Sequence, residues 1–300
     1  MTDAPLPEHL RAGSPLLRGH RAVVTGGAGS IGDAICRVLA AHGADVVVAD
    51  IDGARTADTV AAVQAAGQTA HGVVADLTSR DGMADLVTAT HEAFPGGPDI
   101  LINGLGHHLA SAGPFEDSDE EVWHALYEIN LLHTMRASKA FLPGMKERGW
   151  GRIINFSSVE GIRSAPALAV YTAFKAAIDG FTKSLAVDVA RHGIRVNAIA
   201  VDKTRSYQVD HYRMPPEYDR HVPVWIPAGR FGEGPDVAAV ALFLASDLCS
   251  WVVGQTIVAD GGTLSAGGWF RTPGRWTNSP LLVQYFEDPS VTAERPPGFR

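Results

Sequence analysis

Directly after a short apolar run, Arg21–Thr25, the chain reads Thr25-Gly26-Gly27-Ala28-Gly29-Ser30-Ile31-Gly32 and continues with helical spacing. Few folds accept a glycine-rich turn wedged between a first strand and a first helix. Gly27, Gly29 and Gly32 satisfy the G-x-G-x-x-G spacing. One glycine makes the tight turn, one lets the backbone approach a pyrophosphate, and the last lets helix and strand pack closely. The helix that follows offers free N–H groups and the positive end of its dipole to phosphates. Gly26, Gly27, Gly29, Ser30, Ile31 and Gly32 are therefore expected to cradle a dinucleotide.

The rest of the chain repeats the strand–helix rhythm. Strands are expected at Asp45–Asp50, Thr69–Ala75, Asp99–Ile102, Arg152–Phe156, Arg195–Ala200 and Gln255–Val258. Helices are expected at Ser30–His42, Gly53–Ala66, Ser79–Phe94, Asp119–Arg148, Ala169–His192 and Pro235–Ser246. Ser118 and Glu121 suggest a capping box for the fourth helix, and Pro143 is expected to end or kink it. Near-continuous apolar strands between helices imply a parallel sheet covered on both faces. Right-handed crossovers then give an α/β, Rossmann-like, doubly wound sheet of about seven strands. With 300 residues and 46% hydrophobic content, one large domain over 19–266 can bury such a core. An arm over 1–18 precedes it and an extension over 267–300 follows it.

Ligands of open α/β sheets bind at the carboxyl ends of the strands. Asp50 ends the second strand eighteen residues after Gly32. A carboxylate there accepts both ribose hydroxyls of an adenosine and repels a 2′-phosphate. Ala28 and Ile51, where a phosphate-holding residue would stand, are uncharged, so NAD(H) is expected rather than NADP(H). Asp76 and Leu77 end the third strand on the same rim, and Asp76 is a candidate for the adenine amino group. Asn103, Gly104 and Gly106 follow the fourth strand and are expected to bring backbone close to the cofactor. A net charge of −8 argues against nucleic acid or an anionic membrane as partner. Cys36 and Cys249 have no metal-ligand or disulfide spacing and read as small buried hydrophobes. No signal peptide or spanning run is seen, so a cytoplasmic location is expected.

Over roughly Gly19 to Ala266 the chain resembles the short-chain dehydrogenase/reductase family, in its single-domain branch. The resemblance rests on TGGAGSIG, Asn103 in DILINGLG, Asn130 in YEINLLHT and Ser158 in IINFSSVEG. It rests further on Tyr171 and Lys175 in YTAFK, and on RVNAIA and GQTIVADGG. It implies an alcohol dehydrogenase or ketoreductase in which Asn130, Ser158, Tyr171 and Lys175 are catalytic. Tyr171 and Lys175, four apart, share one helix face, and a neighbouring ammonium is expected to lower the phenol pKa from about 10. Tyr171 would then be the general acid or base. Lys175 would also hold the nicotinamide ribose, Ser158 the substrate oxygen, and Asn130 a relay water. Thr204 is the candidate for the nicotinamide carboxamide. Family members are usually dimers or tetramers, so a homo-oligomer is implied.

Four departures stand out. Ser30 replaces the middle glycine of the family's turn. Asn103-Gly104-Leu105-Gly106 stands for Asn-Asn-Ala-Gly. Val201-Asp202 replaces Pro-Gly after the sixth strand, and a carboxylate at 202 is expected either to favour oxidised cofactor or to face solvent. The tail carries Trp269, Phe270, Trp276, Leu281, Leu282, Tyr285 and Phe286, too apolar for a free segment. Val201–Gly234 reads as a substrate lid, with Tyr207, Tyr212, Met214, Tyr218 and Trp225 among Arg205, Arg213 and Arg220. That lining suits a mid-sized, largely apolar alcohol or ketone. His107 and His108 are candidates for a polar wall, their adjacent side chains expected to point apart, and Glu160 and Arg163 are further candidates to face the pocket. Two other classes stay open: a non-catalytic NAD(H) sensor, and an epimerase or dehydratase with a transient hydride step.

Overall fold

The computed structural model describes residues 15–109, 111–207, 221–272 and 275–278. The chain runs β1 (Arg21–Thr25), α1 (Ser30–Ala41), β2 (Asp45–Asp50), α2 (Gly53–Ala65), β3 (Ala70–Val74), α3 (Arg80–Ala93) and β4 (Ile100–Asn103). It continues through α4 (Glu120–Tyr127), α5 (His133–Arg148), β5 (Gly151–Ser158), α6 (Glu160–Arg163), α7 (Ala169–Val189) and β6 (Ile194–Val201). Then come α8 (Val222–Trp225), α9 (Gly234–Ala245), β7 (Thr256–Ala259), α10 (Thr263–Ala266) and a small hairpin, β8 (Phe270–Thr272) with β9 (Arg275–Thr277).

Seven strands form one parallel sheet in the order β3-β2-β1-β4-β5-β6-β7. Successive side chains on a strand point to opposite faces, so each strand feeds two cores. Val24, Val46, Val48, Ile102 and Ile154 pack under α1 and α9 with Ile35, Leu39 and Leu244. Val23, Val47, Leu101, Ile153 and Val196 pack on the other face with Leu86, Phe141 and Met145. The strand order reverses between β1 and β4, and that switch point is where such a sheet opens a crevice. At the opposite edge, Asp99 accepts from Arg21 and pairs with Arg148 at 2.9 Å. These ion pairs pin β1, β4 and α5 together, away from the crevice. Leu17 is fully buried in the first core, so the packed chain already includes the end of the arm.

Three local expectations change. The fourth helix is two helices joined by a single π turn, Glu128–Leu132. Its cap is Asp119, whose carboxylate accepts the Glu121 N–H at 2.9 Å. Ser118 is instead bonded to Phe115 O and Trp123 Nε1. The helix also runs through Pro143 to Arg148, and Gly149, with φ +68°, supplies the stop. A capping box does occur at α9, between Glu233 and Asp236. Cys36 and Cys249 are buried, and burial pushes the Cys36 thiol well above its ordinary range. Among the described residues no helix is long and apolar enough to cross a membrane.

Candidate active site

The crevice is a cavity of about 760 Å³ running from the glycine-rich turn to Tyr171. At its first end, Gly26 takes φ +67°, where an L side chain is strained. A Cβ on Gly32 would collide with the Gly26 carbonyl oxygen, so α1 approaches β1 only with glycine there. Gly26, Gly29, Ser30, Ile31 and Gly32 line the cavity. Gly27 does not line it: its N–H donates to Ala49 O, and a Cβ would meet Val48 at 2.9 Å. The closest-packed positions are thus Gly27 and Gly32, while Gly26 makes the turn.

Asp50 lies on the cavity wall with its carboxylate already oriented. It accepts from Ala28 N and Asp52 N, both at 3.1 Å. Beside it Ile51, 70% exposed, presents an apolar face to the same space. Two lining residues escaped the sequence reading of this end. Arg55 pairs with Asp52 at 2.9 Å, and its guanidinium lies 4.6 Å from the ring centre of Tyr207, which had been assigned only to the lid. The Tyr207 N–H in turn donates to Ser30 Oγ at 3.2 Å. Ser30, the odd residue of the turn, therefore ties the start of the lid to it. Asp76 and Leu77 lie outside the cavity lining. Asp76 caps its own loop through Thr78, and Leu77 is buried in the core.

The loop after β4 is bound to its surroundings by side chains. Thr25 Oγ1 accepts from Gly104 N at 3.1 Å. Gly104, Leu105 and Gly106 line the cavity. Asn103 is buried below them, donating to Asn155 Oδ1 at 2.8 Å, so it braces β4 on β5 rather than facing the cavity. Asn130 sits in the π turn, a geometry frequent at functional sites. Its amide brackets His107, accepting from the N–H at 3.2 Å and donating to the carbonyl at 2.9 Å. A Cβ on Gly106 would lie 2.8 Å from Lys175 Nζ and 3.2 Å from Asn130 Oδ1. That glycine lets the two side chains close around the loop.

Ser158 ends β5, and Tyr171 and Lys175 stand on α7. All three line the cavity. Ser158 Oγ accepts from Glu160 N at 3.1 Å and donates to Val201 O at 3.5 Å. Ser157 also lines the cavity, its hydroxyl donating to Lys175 O. Lys175 Nζ donates to Phe156 O at 2.9 Å and lies 5.7 Å from the Tyr171 ring centre. Burial pulls its pKa down to about 8.

The expected lowering of the Tyr171 pKa is not found. Burial raises it; the nearby Ser158 hydroxyl opposes the rise, and the carboxylates of Glu160 and Asp202 add to it. In this state the phenol is held protonated.

Asp202 does not face solvent: it lines the cavity, with its carboxylate engaged by other side chains. It is 9% exposed and pairs with Arg163 at 2.9 Å, while Thr263 donates to it at 2.7 Å. Arg163 also pairs with Glu160 at 3.1 Å. The Val201-Asp202 departure is thus part of a latch between the chain after β6, α6 and α10. Thr204 lines the cavity and is bound by its hydroxyl to Asp202 O. His107 and His108 do not point apart: both line the cavity, with ring centres 5.0 Å apart.

Of the lid, Arg205, Tyr207 and Trp225 are described. Tyr212, Arg213, Met214, Tyr218 and Arg220 lie outside the described residues, as do Leu281, Leu282, Tyr285 and Phe286 of the tail. Trp269 and Trp276 are 49% and 45% exposed.

These features define a class: a doubly wound dinucleotide-binding protein with a tyrosine, serine and lysine at the far end of the nucleotide cleft. A family model described as enoyl-(acyl carrier protein) reductase matches residues 26–263. The chain is 33% identical over 243 residues to 2-(S)-hydroxypropyl-CoM dehydrogenase 3 of Xanthobacter autotrophicus, covering 80% of this chain and 94% of that one. It superposes with a TM-score of 0.76 on a gluconate 5-dehydrogenase from Burkholderia cenocepacia in complex with NADP and tartrate, at 31% identity, covering 84% and 98%. On a 7α-hydroxysteroid dehydrogenase complexed with NADH and 7-oxo glycochenodeoxycholic acid the TM-score is 0.78, at 29% identity, covering 84% and 97%. The chain belongs to the short-chain dehydrogenase/reductase family. It is an oxidoreductase of alcohols and ketones that uses a nicotinamide cofactor.

Proposed function

We propose that the protein interconverts a secondary alcohol and its ketone with NAD(H), and that Tyr171 moves the proton. The observation that carries this is the meeting of Tyr171, Ser158 and Lys175 in one cavity with the glycine turn and Asp50. The nicotinamide, when bound, supplies or accepts the hydride. The residues present fit such a group, since Gly26, Gly29 and Gly32 line the cavity with backbone alone at the start of α1, and Asp50 stands on the same wall. Gly26, Gly29, Ser30, Ile31 and Gly32 hold the pyrophosphate, Asp50 and Ile51 the adenosine, and Gly104, Lys175, Tyr171 and Thr204 the nicotinamide half.

In ketone reduction Tyr171 Oη gives its proton to the forming alkoxide; in alcohol oxidation it takes one back. Ser158 Oγ holds the same substrate oxygen. Lys175, with its pKa near 8, replaces the proton that Tyr171 gives up. Asn130 acts as a positioning residue through the His107 loop.

The preference for NAD(H) rests on Asp50, whose carboxylate repels a 2′-phosphate. Arg55, the neighbouring cation on the wall, is engaged by Asp52 and Tyr207. Leu105, Ile129 and Leu168 give the substrate end an apolar body, which suits a mid-sized substrate. A homo-oligomer, dimer or tetramer, belongs to the same proposal.

The test is NADH formation from NAD+ with cyclic and long-chain secondary alcohols. Tyr171→Phe is expected to lower kcat roughly 10²- to 10⁴-fold. A variant as active as wild type removes Tyr171 from the reaction.

A further inference from the structure

The wall beside Tyr171 carries two histidines whose tautomers are fixed in opposite senses by one residue. Leu109 adopts φ +52°, the left-handed region. Its N–H points at His107 Nδ1, 2.6 Å away. Its carbonyl oxygen lies 2.7 Å from His108 Nδ1. An N–H can only donate, so His107 Nδ1 is bare. A carbonyl can only accept, so His108 Nδ1 carries the proton. In a neutral imidazole the second nitrogen takes the complementary role. His107 therefore presents Nε2–H, a donor, and His108 presents a bare Nε2, an acceptor. Among the described residues neither Nε2 has a hydrogen-bond partner.

The pair is rigidly mounted. Asn130 grips both backbone groups of His107, and the Ser111 hydroxyl donates to His108 O. The ring of His108 meets that of Tyr171 edge-on, centres 6.4 Å apart. Burial, and then the neighbouring His108, push the His107 pKa below its ordinary value, which keeps that ring neutral at pH 7.

A donor and an acceptor side by side match a group that both accepts and donates. A hydroxyl does so. A carboxylate would meet a bare nitrogen, an ammonium would meet an N–H, and a methylene would leave both unpaired. We propose that His107 and His108 recognise a second hydroxyl of the substrate, on a carbon near the one oxidised. The preferred substrate is thus a diol or hydroxyketone whose remaining body is apolar. This rests on the dehydrogenase reading above and narrows it.

The test uses matched pairs, cyclohexanol against cis-1,2-cyclohexanediol and 2-butanol against 2,3-butanediol, with thermal melting as a check on each variant's fold. Wild type is expected to prefer the diol about tenfold or more in kcat/KM, since removing the hydroxyl leaves polar groups unpaired. His108→Phe and His107→Phe are expected to bring the ratio near one, while His108→Gln, which keeps an acceptor, retains part of it. Turnover of both partners at equal efficiency, or a preference that survives both phenylalanine variants, overturns this proposal and leaves the dehydrogenase reading standing. No turnover of any partner by wild type overturns both.

Discussion

In the nucleotide half of the cavity the chain is placed by backbone, and in the catalytic half by side chains that reach across the sequence. Gly26, Gly29 and Gly32 work because they lack a Cβ, and Asp50 is oriented by two N–H groups. At the other end Asn130 holds His107, Lys175 holds Phe156 O, and Asp202 is held by Arg163 and Thr263. Backbone geometry does not titrate. Buried ionisable side chains such as Tyr171, Lys175 and His133 do, so dependence on pH should concentrate in the catalytic half.

The largest expected effect tests that division on stability. His133 opens α5 immediately after the π turn and is fully buried. Burial, aided by the Lys175 charge, pushes its pKa down to about 3. The native ring therefore stays neutral, while the unfolded chain takes up a proton as pH falls below about 6.5. Stability is lost progressively as the pH falls from about 6.5 toward 3. Between about pH 7 and pH 4 that loss is on the order of 3 kcal/mol. Urea unfolding of wild type and His133→Met at both pH values measures it. A variant that loses as much as wild type shows that the acid sensitivity resides elsewhere, for instance in Asp99 at the opposite edge. There, burial opposes but is outweighed by bonds from His20 and Arg21, which hold the carboxyl below its ordinary range.

Gly32→Ala probes the other half. The added methyl meets the Gly26 carbonyl, so strand and helix must part. Overpacking of this kind costs about 1–3 kcal/mol. NADH affinity and melting temperature should both fall, with no change in the shape of the pH–rate profile. A lowered kcat with intact NADH affinity would break the comparison. Asp50→Ala should cost less. The carboxylate is half-buried, so its repulsion of a 2′-phosphate is worth about 1–2 kcal/mol. The ratio of NADH to NADPH affinity should drop roughly tenfold. An unchanged ratio removes Asp50 as the discriminating group.

The same division explains what could be read from the sequence. β1 and β2 are found with the bounds expected of them, and the other strands shift by a residue or two. Their apolar runs and the glycine spacing are local signals, and local signals suffice for a parallel sheet and its first turn. The side chains proposed as catalytic were legible only as a set, through the resemblance of seven motifs in order. Their surroundings were not. Arg163 and Asp202 are 39 residues apart, and Asp202 and Thr263 are 61 apart. Nothing local marks such pairs. The Tyr171 pKa went the wrong way for the same reason. Spacing on one helix showed Lys175 but neither the burial of the phenol nor the two carboxylates across the cleft. The π turn at Asn130 escaped because its residues are ordinary helix formers.

The smallest expected effect bears on the catalytic half alone. Tyr171 is faced by Lys175 on its own helix, Ser158 from β5, His108 from the loop after β4, Glu160 from α6 and Asp202 from the chain after β6. Burial raises the phenol pKa, and Glu160 and Asp202 add to the rise, although Arg163 pairs with both carboxylates. Asp202→Asn keeps the shape and removes one charge. The phenol should then ionise more readily, and the rise of alcohol oxidation with pH should move to lower pH. Glu160→Gln should move it the same way. Arg163→Met, which frees both carboxylates, should move it to higher pH. The measurement is kcat/KM for oxidation against pH for the three variants. Shifts of one sign in all three would mean that Arg163, Glu160 and Asp202 act as a mechanical latch on the chain after β6. Opposite signs would mean that the latch also sets the proton affinity of Tyr171.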